Sequence, residues 1–236
     1  MNLDMSVSDY ATFAATVLSL DSEIKKDAAG GLASPTTLRR EYLQTSTEVS
    51  SAVRKPLPFL ANGVGVVLLA FTDDGNVILT RRRDSSRARP RQRDVSVVEG
   101  IHTTHDATGS GRVDVYLTAI RACREELGVS VTNNDVQLLG FGVDMKYYQW
   151  NFFGSVELRC TTDEAMELHA MNAKDRWEGQ FEAVVAEPGV VFEQLRSDGA
   201  WDTAMITAYL AFCKRIGVTR TRQAAAKVLR ANPASN

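Results

Sequence analysis

The stretch Arg121-Ala122-Cys123-Arg124-Glu125-Glu126-Leu127-Gly128-Val129 sets two adjacent carboxylates just ahead of a glycine. Like charges this close repel each other. The arrangement is tolerable on a solvated surface and becomes favourable when a divalent cation sits between the acids and a phosphate chain. An oxygen-only donor set of this kind suits magnesium or manganese. Acids near the C-terminal end of a helix also oppose its macrodipole, at about 0.3 to 1 kcal/mol each, which favours an extra cation there. The plainer reading is a solvated helix end, with Arg121 and Arg124 as local partners.

Other residues add to this chemistry or compete with it. Arg81, Arg82 and Arg83, followed by Arg87, Arg89, Arg91 and Arg93, make a basic stretch interrupted only by Asp84. The guanidinium fork donates in pairs and suits a pyrophosphate, and Arg82 and Arg83 are best placed for it at the end of a strand. The stretch holds no aromatic residue for base stacking, so nucleic acid is disfavoured and a flexible charged loop is the plain alternative. His102, His105 and Asp106 have a spacing that can suggest a metal, but without cysteine partners or a helix the pair reads as incidental. Tyr147, Tyr148, Trp150, Phe152 and Phe153 crowd one strand; alternation buries most of them, while Tyr148 or Trp150 could stack on a base. Asp114 shares the angular face of Glu125, but eleven residues of helix separate them by about 16 Å. Glu99, Asp106, Glu178 and Glu182 lie in other segments and escape that restriction.

The carboxylate pair needs a helix to carry it. From Val113 the apolar positions Val113, Tyr116, Leu117, Ile120, Cys123 and Leu127 recur at three and four, one buried stripe, and Gly128 is the expected stop. Placed at about 100° per residue, Glu125 and Glu126 flank Ala122 on the polar side and lean over one neighbouring spot. Before this helix, Val64 to Phe71 reads as a buried strand, Asp73-Asp74-Gly75-Asn76 as a turn and Val77 to Thr80 as the returning strand of a hairpin. Val95 to Val98 is strand-like and ends at Glu99-Gly100. After the helix, strands are expected over 136–143, 148–158 and 181–186, and helices over 163–171, 190–196 and 203–216. Such an order, without strict strand-helix alternation, predicts an α/β (α+β) fold with a mixed sheet and helices packed on its faces.

Three divisions are expected: an N-terminal extension over 1–55, a main domain over 56–218 and a basic C-terminal tail over 219–236 carrying Arg220, Arg222, Lys227 and Arg230. The 236 residues suffice for one buried core with extensions. A 44% hydrophobic and 24% charged composition with a formal net charge of -2 gives no global pull towards nucleic acid or anionic membrane. Cys123, Cys160 and Cys213 have neither zinc spacing nor the even count of a disulfide framework. No basic n-region precedes an apolar segment, and no apolar run reaches the roughly 20 residues of a membrane span, so a cytoplasmic protein is expected.

The segment from Arg121 resembles the second half of the signature of the Nudix hydrolases: Gly, five residues, Glu, seven residues, then Arg-Glu-apolar-x-Glu-Glu-x-Gly-apolar. Arg121, Cys123, Glu125, Glu126, Gly128 and Val129 match it. Ala122 stands where the family has the first helix glutamate. Counting back from Arg121, Val113 occupies the place of the upstream glutamate, and Gly100 lies about seven residues too far upstream to be the signature glycine without an insertion over 101–112. The resemblance covers roughly residues 57 to 216 and implies an α/β/α sandwich. It also implies metal-dependent hydrolysis of a diphosphate bond in a nucleoside diphosphate linked to another group. Glu125 and Glu126 would hold Mg2+ or Mn2+, Arg121 would orient them, and Arg82, Arg83 and Tyr148 would contact a nucleotide-type substrate. A carboxylate from a later loop commonly completes such a site, which points to Glu178, with Glu99 second. Family members often dimerise, so a homodimer is among the expectations. The missing acid also fits another class of function, a catalytically degenerate domain of the same fold that senses a nucleotide or binds a protein partner.

Overall fold

The structure, a computed structural model, describes residues 6–24, 27–28, 31–32, 35–43, 57, 59–84, 90–174, 179–197 and 202–231. By its contacts the chain divides into two units, one formed by 1–64 with 143–150 and the other by 65–142 with 151–236. These limits differ from the expected 55/56 and 218/219 boundaries, because a short internal segment groups with the N-terminal part and the C-terminal helix packs within the larger unit.

The smaller unit opens with helix α1 (Tyr10–Thr16), capped by Asp9, whose carboxylate accepts from the Thr12 amide at 2.7 Å. Two-residue strands follow: β1 (Glu23–Ile24) pairs antiparallel with β4 (Thr36–Thr37), and β2 (Asp27–Ala28) with β3 (Gly31–Leu32). Arg39, in a π turn over Arg39–Leu43, pairs with Asp21 at 2.7 Å and donates to the Met145 carbonyl at 2.9 Å.

The larger unit is built on a seven-stranded sheet. Its strands are β5 (Val64–Phe71), β6 (Asn76–Arg82), β7 (Arg93–Asp94), β8 (Val97–Gly100), β9 (Val136–Asp144), β10 (Gln149–Glu157) and β11 (Gly179–Val185). The order is β11-β6-β5-β10-β9, with β7 added to β6 and β8 to β5. The expected hairpin is present: Phe71 faces Val77 across an antiparallel pair around Asp73-Asp74-Gly75. The Trp150 amide donates to Gly63 and the Leu158 amide to Phe71, both at 2.9 Å and with the same offset between partners, so β10 runs parallel to β5. The sheet is therefore mixed, as the element order predicts.

The helices are α2 (Val115–Ala122), α3 (Thr162–Asn172), α4 (Pro188–Ser197), α5 (Asp202–Ile216) and α6 (Val218–Ala231). They cover both faces of the sheet. Val66, Leu68 and Ala70 of β5 pack with Ala119, Ala122, Cys123 and Leu127 on one side. The alternate residue Phe71 meets Phe212 of α5 edge-on, ring centres 5.7 Å apart, on the other side. A strand buried on both faces must be apolar without alternation, which is why 64–71 reads as a continuous hydrophobic run. The result is an α/β/α arrangement. The segment expected as a basic tail is helix α6 as far as Ala231, packed on α4 and α5 through the buried Thr221 and Val228. All three cysteines are free thiols. Among the described residues, no helix is long and apolar enough to cross a membrane.

Candidate functional site

Helix α2 begins at Asp114, whose side chain caps it by accepting from the Tyr116 amide at 2.9 Å. Asp114 is therefore a capping residue at the far end from the glutamates. After Ala122 the helix changes pitch, and Cys123–Leu127 form a π turn. Gly128 ends it with φ 71°, its amide returning to the Cys123 carbonyl. A side chain at Gly128 would also collide with the Leu168 carbonyl, 2.5 Å from where its Cβ would lie, so the end of α3 sits tightly against this turn. The His169 ring nitrogen Nδ1 lies 3.0 Å from the Glu126 carbonyl, and the Lys174 amide donates to the Glu125 carbonyl at 2.8 Å.

The buried face of the helix differs from the expected one: Thr118, Ala119 and Ala122 are buried, while Val113, Tyr116, Leu117 and Ile120 are only half-buried. At 100° per residue Ala122 belongs to the polar side between the two glutamates, but it is fully buried in the core with Ala119 and Cys123. The position of the missing glutamate is thus closed into the apolar interior. Glu125 and Glu126 take different partners. One Glu125 oxygen accepts from Arg121 at 3.0 Å and the other from the Lys174 ammonium at 2.7 Å. The Glu126 carboxylate accepts from the Val98 amide at 3.2 Å, which ties it to strand β8.

Arg121 is the hub. Its guanidinium binds Asp106 through two bonds of 2.7 and 2.9 Å and donates to the Gly100 carbonyl at 2.8 Å. Its Nη1 lies 3.2 Å from Glu99 and 3.0 Å from Glu125, so Glu99 and Glu125 are bridged by a single nitrogen. Asp106 is completely buried and accepts two further bonds, from the His102 amide at 2.7 Å and the Thr118 hydroxyl at 2.9 Å. Burial pushes its carboxyl up, but Arg121 and these donors outweigh burial and hold it below its ordinary value. Glu125 behaves alike: burial raises it, and Lys174 and Arg121 together bring it below the usual carboxylate range. Burial, helped by the nearby Glu126 charge, pushes the Cys123 thiol far up, so it is not a nucleophile.

Upstream of the helix, Asp106 follows Gly100 after five intervening residues and is paired with Arg121, while Val113 lies at the base of the loop that comes next. Residues 107–113 form a small loop pinched at its base, where Ala107 bridges Val113 and the Asp114 amide donates to the Asp106 carbonyl at 2.8 Å. His102 uses its Nδ1 to accept from the Thr104 and His105 amides, both at 3.2 Å, which makes it part of the local turn.

The other candidates divide by sheet face. Phe181 packs against the core cluster containing α2, so the adjacent Glu182 points to the opposite face. There Glu182 accepts from Arg93 at 2.6 Å and Arg81 at 3.2 Å, and Arg93 also donates to the Gln194 carbonyl of α4. Glu182, Arg81 and Arg93 are structural and do not join the acid cluster. Arg82, paired across the sheet with Gly179, shares the α2 face, and Arg83 follows, exposed, at the strand end. Arg91 pairs with Asp84 at 2.6 Å on the surface. Tyr148 is fully buried, with its ring edge-on to Trp150 at 4.8 Å, so it has no face left for a base and serves packing. Glu178, Arg87 and Arg89 lie outside the described residues. Lys174, which sequence reasoning missed, carried no signal beyond its charge, because only the packing of α3 on the π turn brings it to Glu125.

As they stand, no three histidine, cysteine, aspartate or glutamate side chains among the described residues are grouped to hold a metal ion. Arg121 and Lys174 sit where such an ion would compete for Glu125. No protein-family model matches the sequence, and no curated protein matches it. Among solved structures, the chain is similar to the DR0079 protein of Deinococcus radiodurans at 14% identity, covering 63% of this chain and 82% of that one with a TM-score of 0.45. It is likewise similar to a MutT protein from Methanosarcina mazei at 15% identity, covering 61% and 91% with a TM-score of 0.42.

Proposed function

We propose that the chain is a metal-dependent hydrolase of a diphosphate bond in a nucleoside diphosphate linked to another group. The observation that supports this best is the bridging of Glu99 and Glu125 by one nitrogen of Arg121. It brings carboxylates from a strand end and a helix end together beside Glu126. The donor set is oxygen-only, and among the described residues four carboxylates (Glu99, Asp106, Glu125 and Glu126) meet two cations (Arg121 and Lys174). This donor chemistry suits Mg2+ or Mn2+.

Glu99, Glu125 and Glu126 would hold the ion, with Glu178 as the candidate from the later loop. When bound, the ion lowers the pKa of a coordinated water and offsets charge on the leaving phosphate. Arg121 positions Glu99 and Glu125, and Asp106 fixes Arg121 in turn. Arg82 and Arg83 neutralise the phosphates. With Ala122 closed into the core, Glu99 is the carboxylate that takes over from the missing helix acid.

The test is turnover of a panel of nucleoside diphosphate compounds by the purified protein with manganese. Product formation is expected, with a drop of about 100-fold or more in Glu126→Gln. Turnover equal in that variant and the wild type would sink the proposal. A sensor that binds without turnover is the second reading, favoured by the burial of Ala122 and by the protein donors already on Glu125 and Glu126. It predicts a rise in melting temperature with the same compounds and no product.

A further inference from the structure

We infer that Lys174 is a tethered cation that competes with the metal ion for Glu125, so that metal enters only by displacing it. This rests on the metal site proposed above. Two attachments to the same residue carry the inference. The Lys174 backbone amide donates to the Glu125 carbonyl at 2.8 Å, which fixes where the side chain starts. Its ammonium then reaches the Glu125 carboxylate at 2.7 Å, on the oxygen that Arg121 does not use.

The backbone anchor is itself held. Helix α3 ends at Asn172 with Ala173 as its cap, its last turn lies against the αL glycine Gly128, and His169 contacts the Glu126 carbonyl. The ammonium therefore returns to the same place after each departure. The lysine side chain is 67% exposed while the Glu125 side chain is 17% exposed. Lysine can swing into water at little cost, whereas Arg121, buried and bonded to Asp106, cannot. Of the two cations on Glu125, Lys174 is the one that yields. Its release also frees a positive charge beside the ion, where a diphosphate carries its negative charge.

The experiment is manganese binding, followed by calorimetry and by the paramagnetic resonance signal of the free ion, for wild type, Lys174→Gln, Arg124→Gln and Glu125→Gln. Arg124 is exposed on the same turn and controls for general loss of positive charge. Lys174→Gln is expected to bind manganese about two- to five-fold more tightly, the range set by the strength of exposed ion pairs, and Arg124→Gln to change it less. Glu125→Gln is expected to weaken it. Equal tightening in both charge-removal variants, or none in Lys174→Gln, overturns the competition while leaving the metal site standing. Manganese binding unaffected in Glu125→Gln, or absent in every protein, overturns the metal site and the competition with it.

Discussion

Asp106 and Arg121 show how a single pair can decide an entire cluster. A fully buried carboxylate is costly unless donors surround it, and four bonds from Arg121, His102 and Thr118 do so here. Replacing Arg121 by Met leaves that charge without its counterion. The expected loss is about 3 to 5 kcal/mol, read from urea unfolding. The same pair predicts a dependence on pH. Asp106 and Glu125 both titrate below their ordinary values in the folded state, so they stabilise the fold above the unfolded values near 4. That contribution is lost as pH falls through the lower folded values. Urea midpoints should therefore hold steady from pH 7 to 5 with respect to these two groups and drop below pH 4. Asp106→Asn should be less stable at pH 7 and show a shallower acid drop; an unchanged acid slope would contradict the assignment.

At the scale of elements, the π turn over Cys123–Leu127 separates what could be read in the sequence from what could not. The helix and its glycine stop follow from spacing and turn chemistry; of the expected stripe only Cys123 and Leu127 are buried, because the small residues Thr118, Ala119 and Ala122 form the closest face to the sheet. The change of pitch does not follow from spacing, because Cys-Arg-Glu-Glu-Leu carries no residue that forces it. Taking the bulky apolar residues as the buried stripe puts Ala122 outward, although it shares a face with the buried Thr118 and Ala119, and a constant 100° step carried past Ala122 sends both glutamates to one spot. Gly128 is the element's most exacting position. Gly128→Ala combines a strained φ with a Cβ only 2.5 Å from the Leu168 carbonyl, so it should cost more than about 1 kcal/mol, measured as a fall in unfolding free energy. The strands were legible for a similar reason: 64–71 is apolar throughout because both its faces are covered. Glu182 was not, because choosing its face needed the register of β11 on β6, which only Phe181 reveals. Tyr148 shows the same limit, its aromatic character being equally suited to a core and to a ligand.

For the whole molecule, stability is concentrated in the sheet of the larger unit. Val66 to Ala70 and Val77 to Leu79 are completely inaccessible to solvent. The smaller unit buries Val17, Leu20, Leu60 and Tyr148, but its strands are only two residues long and are flanked by surface bonds such as Arg39 to Asp21. Hydrogen exchange should accordingly be slowest in β5 and β6 and faster in β1 and β4 by several orders of magnitude; equal protection would contradict this distribution. The loop between Asp106 and Asp114 has a different significance at this scale. Its two ends are joined by a backbone bond, so the chain leaves the site and returns to nearly the same point. With residues 107–113 set aside, only seven residues, 114–120, remain between Asp106 and Arg121. Distance along the chain and distance in the fold are uncoupled at this point. The exposed tip at Gly109-Ser110-Gly111 can thus be lengthened, shortened or exchanged for a reporter peptide while Asp106 and Arg121 keep their grip, a natural graft point beside the acid cluster.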